Sequence, residues 1–586
     1  MKNTSFESVS LDDWKAKAEE SLKGKPLEKL YKETYEGITL QPLYTREDVE
    51  KESAVNRDRS KREWKIAQRV SAENAADLPE ILETVLSRGQ DTVAFADPQK
   101  GIDGNTLKKV FTMAASKGKP LFHITSMSSA GFEVLRDGLS ELSGAYAADP
   151  IPSMVNGESS GVQQTWLKNI TYLKEHSPKV RTVAVDTSLV NEAGGSAVQE
   201  LAYAVSAGVS IIEELKEKGW TAEEAAGTLV FNFSIGSSFF VEISKLRAFR
   251  SLWKNVTEAY GLNDTNAVIS AETSQFTKSR LDPYVNMLRS GNETFAAVLG
   301  GADYIHVSPF DQVSGNTSAF SERIARNTQL ILSQESHLNK VSDPSGGSYY
   351  IESLTNSLAR KAWEKFQEID GSGGIIESLK TGAFQLEIQQ VFKKREQDTA
   401  VRKQSLIGTN VYADLEETPL KEGQHKSGTQ IPGLHSRRLS ESFENLRERA
   451  ARLTEKPRAG LILLGKIKNH KARADFVTGF LAAGGIGVLP SKECLSVDEA
   501  IQFAANTNTD YYVICGRDED YESMAEAILS GLNTNGLMVD IAGKLNGGQM
   551  DDLKKAGLNG YIYSGQNVID KLDTLLSRWE ANPDGN

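Results

Sequence analysis

Between Val180 and Phe310, short apolar runs alternate with longer amphipathic ones, and no other feature limits the possible folds as strongly. Four runs are predicted as strands: Val180–Asp186, Thr228–Ser234, Ala267–Thr273 and Asp303–Ser308. The segments between them carry apolar residues at spacings of three and four, such as Leu201, Val205, Val209 and Ile212, then Phe239, Ile243, Leu246 and Phe249. Strand and helix alternating at roughly 40 residues define βα units and a parallel sheet. The strands end in polar residues: Asp186-Thr187-Ser188, Asn232-Phe233-Ser234, Glu272-Thr273-Ser274 and His306-Val307-Ser308. In a parallel αβ barrel the C-terminal strand ends and the loops after them form the site face, so any chemistry is expected at this rim.

Upstream, Trp64–Val70, Thr92–Ala96, Leu121–Thr125 and Gly144–Ala148 read as four more strands, with amphipathic stretches at Leu78–Leu86 and Leu107–Ala115. Eight strands close a (β/α)8 barrel of the TIM type; an open doubly wound sheet is the alternative. Helical segments follow at Ala319–Leu332, Ser353–Ile369 and Gly374–Glu396. A second alternation begins at 457. Its strands are Gly460–Leu464, Ile486–Leu489, Tyr511–Cys515, Leu537–Ile541 and Gly560–Tyr563, which suit a flavodoxin-like domain. The expected plan is therefore an arm over 1–50, a barrel with trailing helices over 51–400, a polar linker over 401–456 and a C-terminal domain over 457–586.

A chain of 586 residues is too long for one hydrophobic core, which agrees with this division. The net charge of -12 argues against nucleic acid as a partner, since phosphate binding needs a basic face. Cys494 and Cys515 have no metal-binding spacing, and no metal site is expected. Met1–Ser10 lacks the apolar core of a signal peptide, and no apolar run is long enough to cross a bilayer. A cytoplasmic location without membrane attachment is expected. In the arm, Ser10 is a candidate N-cap for a helix that stops near Gly24-Lys25-Pro26. Trp14, Tyr31, Tyr35 and Tyr44 call for burial, either on this chain's own barrel or on a partner.

Five stretches then carry a family resemblance. They are Leu22-Lys23-Gly24-Lys25-Pro26-Leu27 with Thr34-Tyr35-Glu36-Gly37-Ile38, Pro42-Leu43-Tyr44-Thr45, Phe239–Ala248, Arg323–Gln329 and Asp343–Glu352. Together with the domain order they resemble the cobalamin-dependent methylmalonyl-CoA mutase family. Against that family the chain departs at the positions that carry chemistry. Catalytic members have an Ile-Arg-Gln-Tyr run whose Tyr lies between cofactor and substrate; Ile66-Ala67-Gln68-Arg69 puts Arg69 there. The family's Gly-Tyr-His motif becomes Thr187-Ser188-Leu189, so Leu189 replaces the His that hydrogen-bonds the thioester oxygen. Leucine has no donor and cannot stabilise charge on that oxygen. A third motif, Arg-Thr-His, aligns with Val268-Ile269-Ser270.

The cobalamin motif Asp-x-His-x-x-Gly reads Lys468, His470 and Arg473. In the family the His binds cobalt and the Asp holds its other ring nitrogen. The Gly admits the cofactor's nucleotide tail. A lysine cannot accept that N–H, and an arginine fills the space. The family's Ser-x-Leu becomes Cys515-Gly516-Arg517 and its Gly-Gly becomes Ala542-Gly543. His470 alone survives as a candidate cofactor ligand, and a leftover histidine is the plainer reading. His123 and His306 are expected near the site face as packed residues. Arg323 and Arg326 share a helix face, as fold or interface contacts rather than ligands of a CoA phosphate.

The resemblance implies the small (β) chain of a heterodimeric mutase that has no catalytic residues of its own. The large (α) chain would bind adenosylcobalamin and interconvert (R)-methylmalonyl-CoA and succinyl-CoA by a radical mechanism. The alternatives are a self-sufficient acyl-CoA mutase with an altered site, and a regulatory acyl-CoA or cobalamin sensor.

Overall fold

The computed structural model describes residues 9–50, 63–96, 101–136, 141–157, 160–263, 266–315, 317–421, 431–507, 509–532, 537–545 and 547–581. Residues 1–8 of the arm and 422–430 of the linker lie outside them. Eight strands form one parallel sheet: β1 (Lys65–Ile66), β2 (Val93–Ala94), β3 (Leu121–Thr125), β4 (Gly144–Ala148), β5 (Val180–Asp186), β6 (Leu229–Ile235), β7 (Ile269–Thr273) and β8 (Tyr304–His306). Neighbours follow in sequence order from β2 to β8, and β8 pairs with β1. The Val70–Phe95 bridge closes the ring, with Val70 N–H donating to Ala94 O at 3.3 Å and Ala96 N–H to Val70 O at 3.0 Å. The fold is the closed barrel, not the open sheet.

Around the seam, glutamine side chains do the pairing that β1 leaves undone. Gln68 Nε2 donates to Val307 O at 2.8 Å, and Val307 N–H donates back to Gln68 Oε1 at 3.2 Å. Gln90 Nε2 donates to Gln68 O at 2.9 Å. Each buried backbone group so satisfied avoids the cost of desolvation without a partner.

Side chains alternate across each strand. One face joins the helices in the main core, through Leu121, Tyr146, Val183, Val185, Phe231 and Ile269. The other lines the barrel axis with Ala67, Ala94, Phe122, Ala145, Ala184 and Val230, and Phe122 stacks on Tyr304 at 4.7 Å. The interior is thus a packed core, as in barrels generally.

The arm divides. Helix α1 (Leu11–Ser21) is capped by a reciprocal Ser10–Asp13 pair and buries no side chain. Val9, Leu11, Leu30 and Tyr31 are exposed. Beyond them the arm lies on its own chain. Tyr35 donates to Asp398 at 2.9 Å under the guanidinium of Arg395, Ile38 is buried, and Tyr44 meets Tyr350 at 5.0 Å. The segment expected as one helix over Gly374–Glu396 is two, Gly374–Lys380 and Ala383–Ala400, broken where Gly382 takes φ +79°.

Helix α2 (Ala319–Gln334) flanks β8. The polar segment after residue 400 is anchored rather than loose: Thr409, Asn410, Ile431 and Leu434 are buried. Helix α3 (Glu441–Arg452) leads into a second parallel sheet. Its strands are β9 (Arg458–Leu464), β10 (Gly487–Cys494), β11 (Tyr511–Cys515), β12 (Met538–Ala542) and β13 (Gly560–Ile562), in the order β10-β9-β11-β12-β13. That order is the flavodoxin-like one.

Glu444 of α3 joins the two units. Its carboxylate accepts from Arg280 Nε at 2.8 Å, Arg280 N–H at 2.9 Å, Arg438 Nη2 at 2.7 Å and Ser440 Oγ at 2.7 Å. Glu444→Ala leaves two buried guanidiniums short of a partner, although Glu448 still reaches Arg280 at 2.6 Å. The expected loss is about 3 kcal/mol, at the low end for breaking a buried ion pair. A lowered urea midpoint by circular dichroism checks it; an unchanged midpoint would show that Glu444 does not hold the junction.

Candidate functional site

The barrel mouth follows from the strand register. Ala67, Ala184, Val230, Val268 and Tyr304 cluster inside the barrel, so the residues two positions on, Arg69, Asp186, Asn232, Ser270 and His306, share that inward row. Glu272 continues it on β7. These side chains bond to one another. Arg69 Nη2 meets Glu272 Oε2 at 2.5 Å. Asn232 Nδ2 donates to Asp186 Oδ1 at 3.0 Å and Glu272 Oε1 at 3.3 Å. Ser188 Oγ donates to Asp186 Oδ1 at 2.7 Å. His306 Nδ1 accepts from Arg69 N–H at 3.3 Å, and burial beside the Arg69 charge holds the imidazole well below its ordinary pKa. It is therefore neutral.

Leu189 sits on the short helix Ser188–Glu192, half-buried against the main core. It presents no polar atom to the mouth. His123, expected on the site face, belongs to the other face of β3. It stacks on Phe95 at 4.1 Å with Nδ1 3.0 Å from Phe95 O, beside Tyr146. One step of strand alternation separates the site row from the helix-facing row. Sequence reasoning did not single out Glu272, Asn232, Glu192 and Asp149 as a group. Their signal was the polar strand ends.

Carboxyls outnumber cations at this mouth. Burial pushes Glu192 up to about 8, helped by the nearby charges of Glu272 and Asp186. Burial likewise pushes Asp149 up to about 7, although its carboxylate accepts from Asp186 N–H at 2.9 Å. Among the described residues no group of three or more His, Cys, Asp and Glu is arranged to hold a metal ion.

In the C-terminal domain, ligands of such sheets sit outside the carboxyl ends of the strands. Here that crevice is spanned by one side chain. Helix α4 (Ile467–Ala482) begins right after β9 and carries Lys468, His470 and Arg473. Lys468 is exposed. His470 is buried, with Nδ1 3.3 Å from Leu464 O at the end of β9. Arg473 reaches across the strand ends. Its Nη1 donates to Gly516 O and its Nη2 to Asp518 Oδ1, both at 2.7 Å. Its guanidinium lies 5.1 Å from the Tyr521 ring centre. A Cβ on Gly543 would come within 3.2 Å of Arg473 Cζ. Thus the positions read as Gly, Ser-x-Leu and Gly-Gly in the cobalamin pattern all meet at Arg473. Cys515 beside it is buried, with its thiol pushed up to about 12 by desolvation.

This arrangement does not fit cobalamin. The backbone approach that the cofactor's tail needs is taken by the Arg473 guanidinium, and the His470 ring is buried against a backbone carbonyl.

A closed (β/α)8 barrel followed by a flavodoxin-like sheet, with the polar row at one mouth and the crevice at the other unit's strand ends, defines a two-domain α/β architecture of the acyl-CoA mutase type. The chain belongs to the methylmalonyl-CoA mutase family: the family model described as methylmalonyl-CoA mutase matches residues 94–474. It is 31% identical over 606 aligned residues to the methylmalonyl-CoA mutase small subunit of Porphyromonas gingivalis, covering 97% of each chain. Against the small subunit of Streptomyces virginiae it is 30% identical, over 93% of this chain and 91% of that one. A protein named methylmalonyl-CoA mutase from Cereibacter sphaeroides is 28% identical over 70% of this chain and 65% of its own.

The raised carboxyls make stability depend on pH. Between the ordinary carboxylate range and about 8, the folded state keeps protons on Asp149 and Glu192 that the unfolded chain releases. Stability therefore falls as pH rises through that window and levels off above it. Glu192→Gln removes one of these protons from the balance. Its urea midpoint is expected to fall less than the parent's between pH 5 and 8, as denaturation at intervals across that range will measure.

Proposed function

We propose that this chain is the non-catalytic small subunit of a heterodimeric methylmalonyl-CoA mutase, acting in the cytoplasm. In this reading a large subunit binds adenosylcobalamin and isomerises (R)-methylmalonyl-CoA and succinyl-CoA. This chain stabilises it and holds no cofactor. The observation that carries the reading is Arg473, whose guanidinium occupies the crevice at the strand ends and is held there by Gly516 O and Asp518. Arg69 paired with Glu272, and Leu189 without a donor, support it at the barrel mouth. Among the described residues no helix is long and apolar enough to cross a membrane.

Titration of the purified chain with adenosylcobalamin is expected to give no spectral change in the visible bands. Incubation with cofactor and methylmalonyl-CoA is expected to give no succinyl-CoA. A histidine-ligated spectrum, or turnover in a preparation free of any large chain, would favour a self-sufficient mutase.

The exposed part of the arm gives a separate expectation. Deleting residues 1–24 should weaken co-purification with a co-expressed large subunit while leaving this chain's own melting temperature unchanged, because α1 buries nothing on its own barrel. A sharply lowered melting temperature with unaltered pairing would assign the arm to this chain's fold instead.

A further inference from the structure

On the outer wall of the barrel, Arg326 stands without a hydrogen-bond or ion-pair partner among the described residues. Helix α2 turns it inward, to 4% exposure, and its Nε is buried with no acceptor. No described carboxylate pairs with it. Two more guanidiniums face the same corner. Arg323 lies one turn earlier on the same face of α2, exposed, its guanidinium 5.4 Å from the Phe320 ring centre. Arg88 follows the helix Leu78–Ser87, also exposed. The two helices touch here: a Cβ on Gly89 would lie 3.2 Å from Leu330 of α2. Burial first, then the Arg88 charge and more weakly the Arg323 charge, hold the Arg326 pKa below its ordinary value, with the Glu322 charge acting the other way.

The acid that faces them is Glu322, whose charge acts on Arg326 against burial but makes no ion pair with it. Its carboxylate accepts from Thr317 Oγ1 at 2.8 Å, and burial raises its pKa. A buried guanidinium with like-charged neighbours and no acceptor is costly, because buried charges are stable only when paired and hydrogen-bonded. The fully buried lysines of the barrel obey that rule. Buried Lys245 meets both Glu200 and Glu242, and buried Lys278 meets Glu293. The corner between α2 and Arg88 is an exception that an anion would complete.

The geometry points to an oxyanion site here that takes the phosphate group of a small molecule, with Arg326 as the buried donor and Arg323 and Arg88 closing over it from the solvent side. A phosphate suits it better than a single carboxylate. It carries up to two charges against three guanidiniums and one weak acid, and it has three terminal oxygens to accept from planar donor pairs. The site is independent of the mutase reading, since it lies on the helix layer and uses none of the residues at the mouth or the crevice.

The test uses the full chain and inorganic phosphate at pH 8, with chloride replaced at constant ionic strength so that general screening is held fixed. Calorimetry is expected to show one saturable phosphate site, and the melting temperature is expected to rise with phosphate concentration. The double variant Arg88→Gln with Arg323→Gln alters only exposed residues. It is expected to melt as the parent does in chloride and to bind phosphate about tenfold more weakly or worse. Arg326→Met removes the uncompensated charge. It is expected to melt at or above the parent in chloride and to lose the response to phosphate. The proposal fails if the parent shows no saturable binding, if the double variant keeps full affinity, or if Arg326→Met melts below the parent in chloride.

Discussion

The carboxylate of Glu444 carries the junction on which the arrangement of the two units depends. It receives five donors from four residues, Ser279 Oγ at 3.5 Å being the longest, and is itself held below the ordinary carboxylate range, the Arg438 charge and the Arg280 hydrogen bonds outweighing its burial. Around it the chain is stitched to the segments after β5 and β7. Ser440 Oγ donates to Lys278 O at 2.8 Å, Leu439 N–H to Phe276 O at 3.1 Å, and Arg437 N–H to Glu192 O at 2.9 Å. From the far side of α3, Arg449 reaches Glu580 at 2.8 Å on the last helix of the C-terminal unit. A buried ionic joint tolerates little change of geometry, because any displacement leaves a desolvated charge without its partner. The segment before α3 is therefore fixed over the barrel mouth, and the crevice of the second sheet is fixed with it.

At the barrel mouth and in the crevice of the second sheet, one physical device recurs. A guanidinium brings five donors on a long stem, so it fills space and consumes acceptors together. At the mouth, Arg69 takes Glu272 out of play and presses its own backbone N–H onto His306. In the crevice, Arg473 takes a backbone carbonyl and Asp518 and stacks beside Tyr521. Each site is converted from an opening into a packed contact. The mouth still shows the cost of its composition, in carboxyls that burial pushes up to about 7 and about 8.

Most of this architecture could be read from the chain itself. Leu121–Thr125, Gly144–Ala148, Val180–Asp186 and Tyr511–Cys515 begin and end where their apolar runs do. Strands buried on both faces leave that plain signature. The first barrel strand did not. Trp64–Val70 reads as seven continuous residues, yet regular pairing covers Lys65–Ile66 and resumes only at the Val70 bridge. The Gln68 and Gln90 amides replace the ladder between them, and an amide that substitutes for backbone leaves no periodic trace. Helix α4 starts at Ile467, ahead of its apolar spacing, because Lys468, Asn469 and Lys471 near its start are polar. His123 was placed near the site by its position at a strand end, but residue parity turned it to the helix layer. For the site, sequence located the changed residues and structure supplied their partners. That Arg473 and Gly543 meet across 70 positions of chain follows only from the order of the strands.

These partnerships explain why single reversions toward the family pattern should not rebuild a site. Replacing Arg69 by Tyr alone would restore the hydroxyl but remove the cation that balances Glu272. Glu272 would keep only the 3.3 Å contact from Asn232, whose amide it shares with Asp186. Asp149, Asp186, Glu192 and Glu272 would then share one desolvated mouth with no counter-charge, and like charges at close range force protons onto some of them. Protonated carboxyls would donate from the strand ends and not from position 189, where Leu189 remains packed on the core. The same logic holds in the crevice. Arg473→Gly would open space beside Gly543 yet leave His470 buried with its ring against Leu464 O. In both places the altered residue is one member of a satisfied set, so function could return only if the whole set changed together.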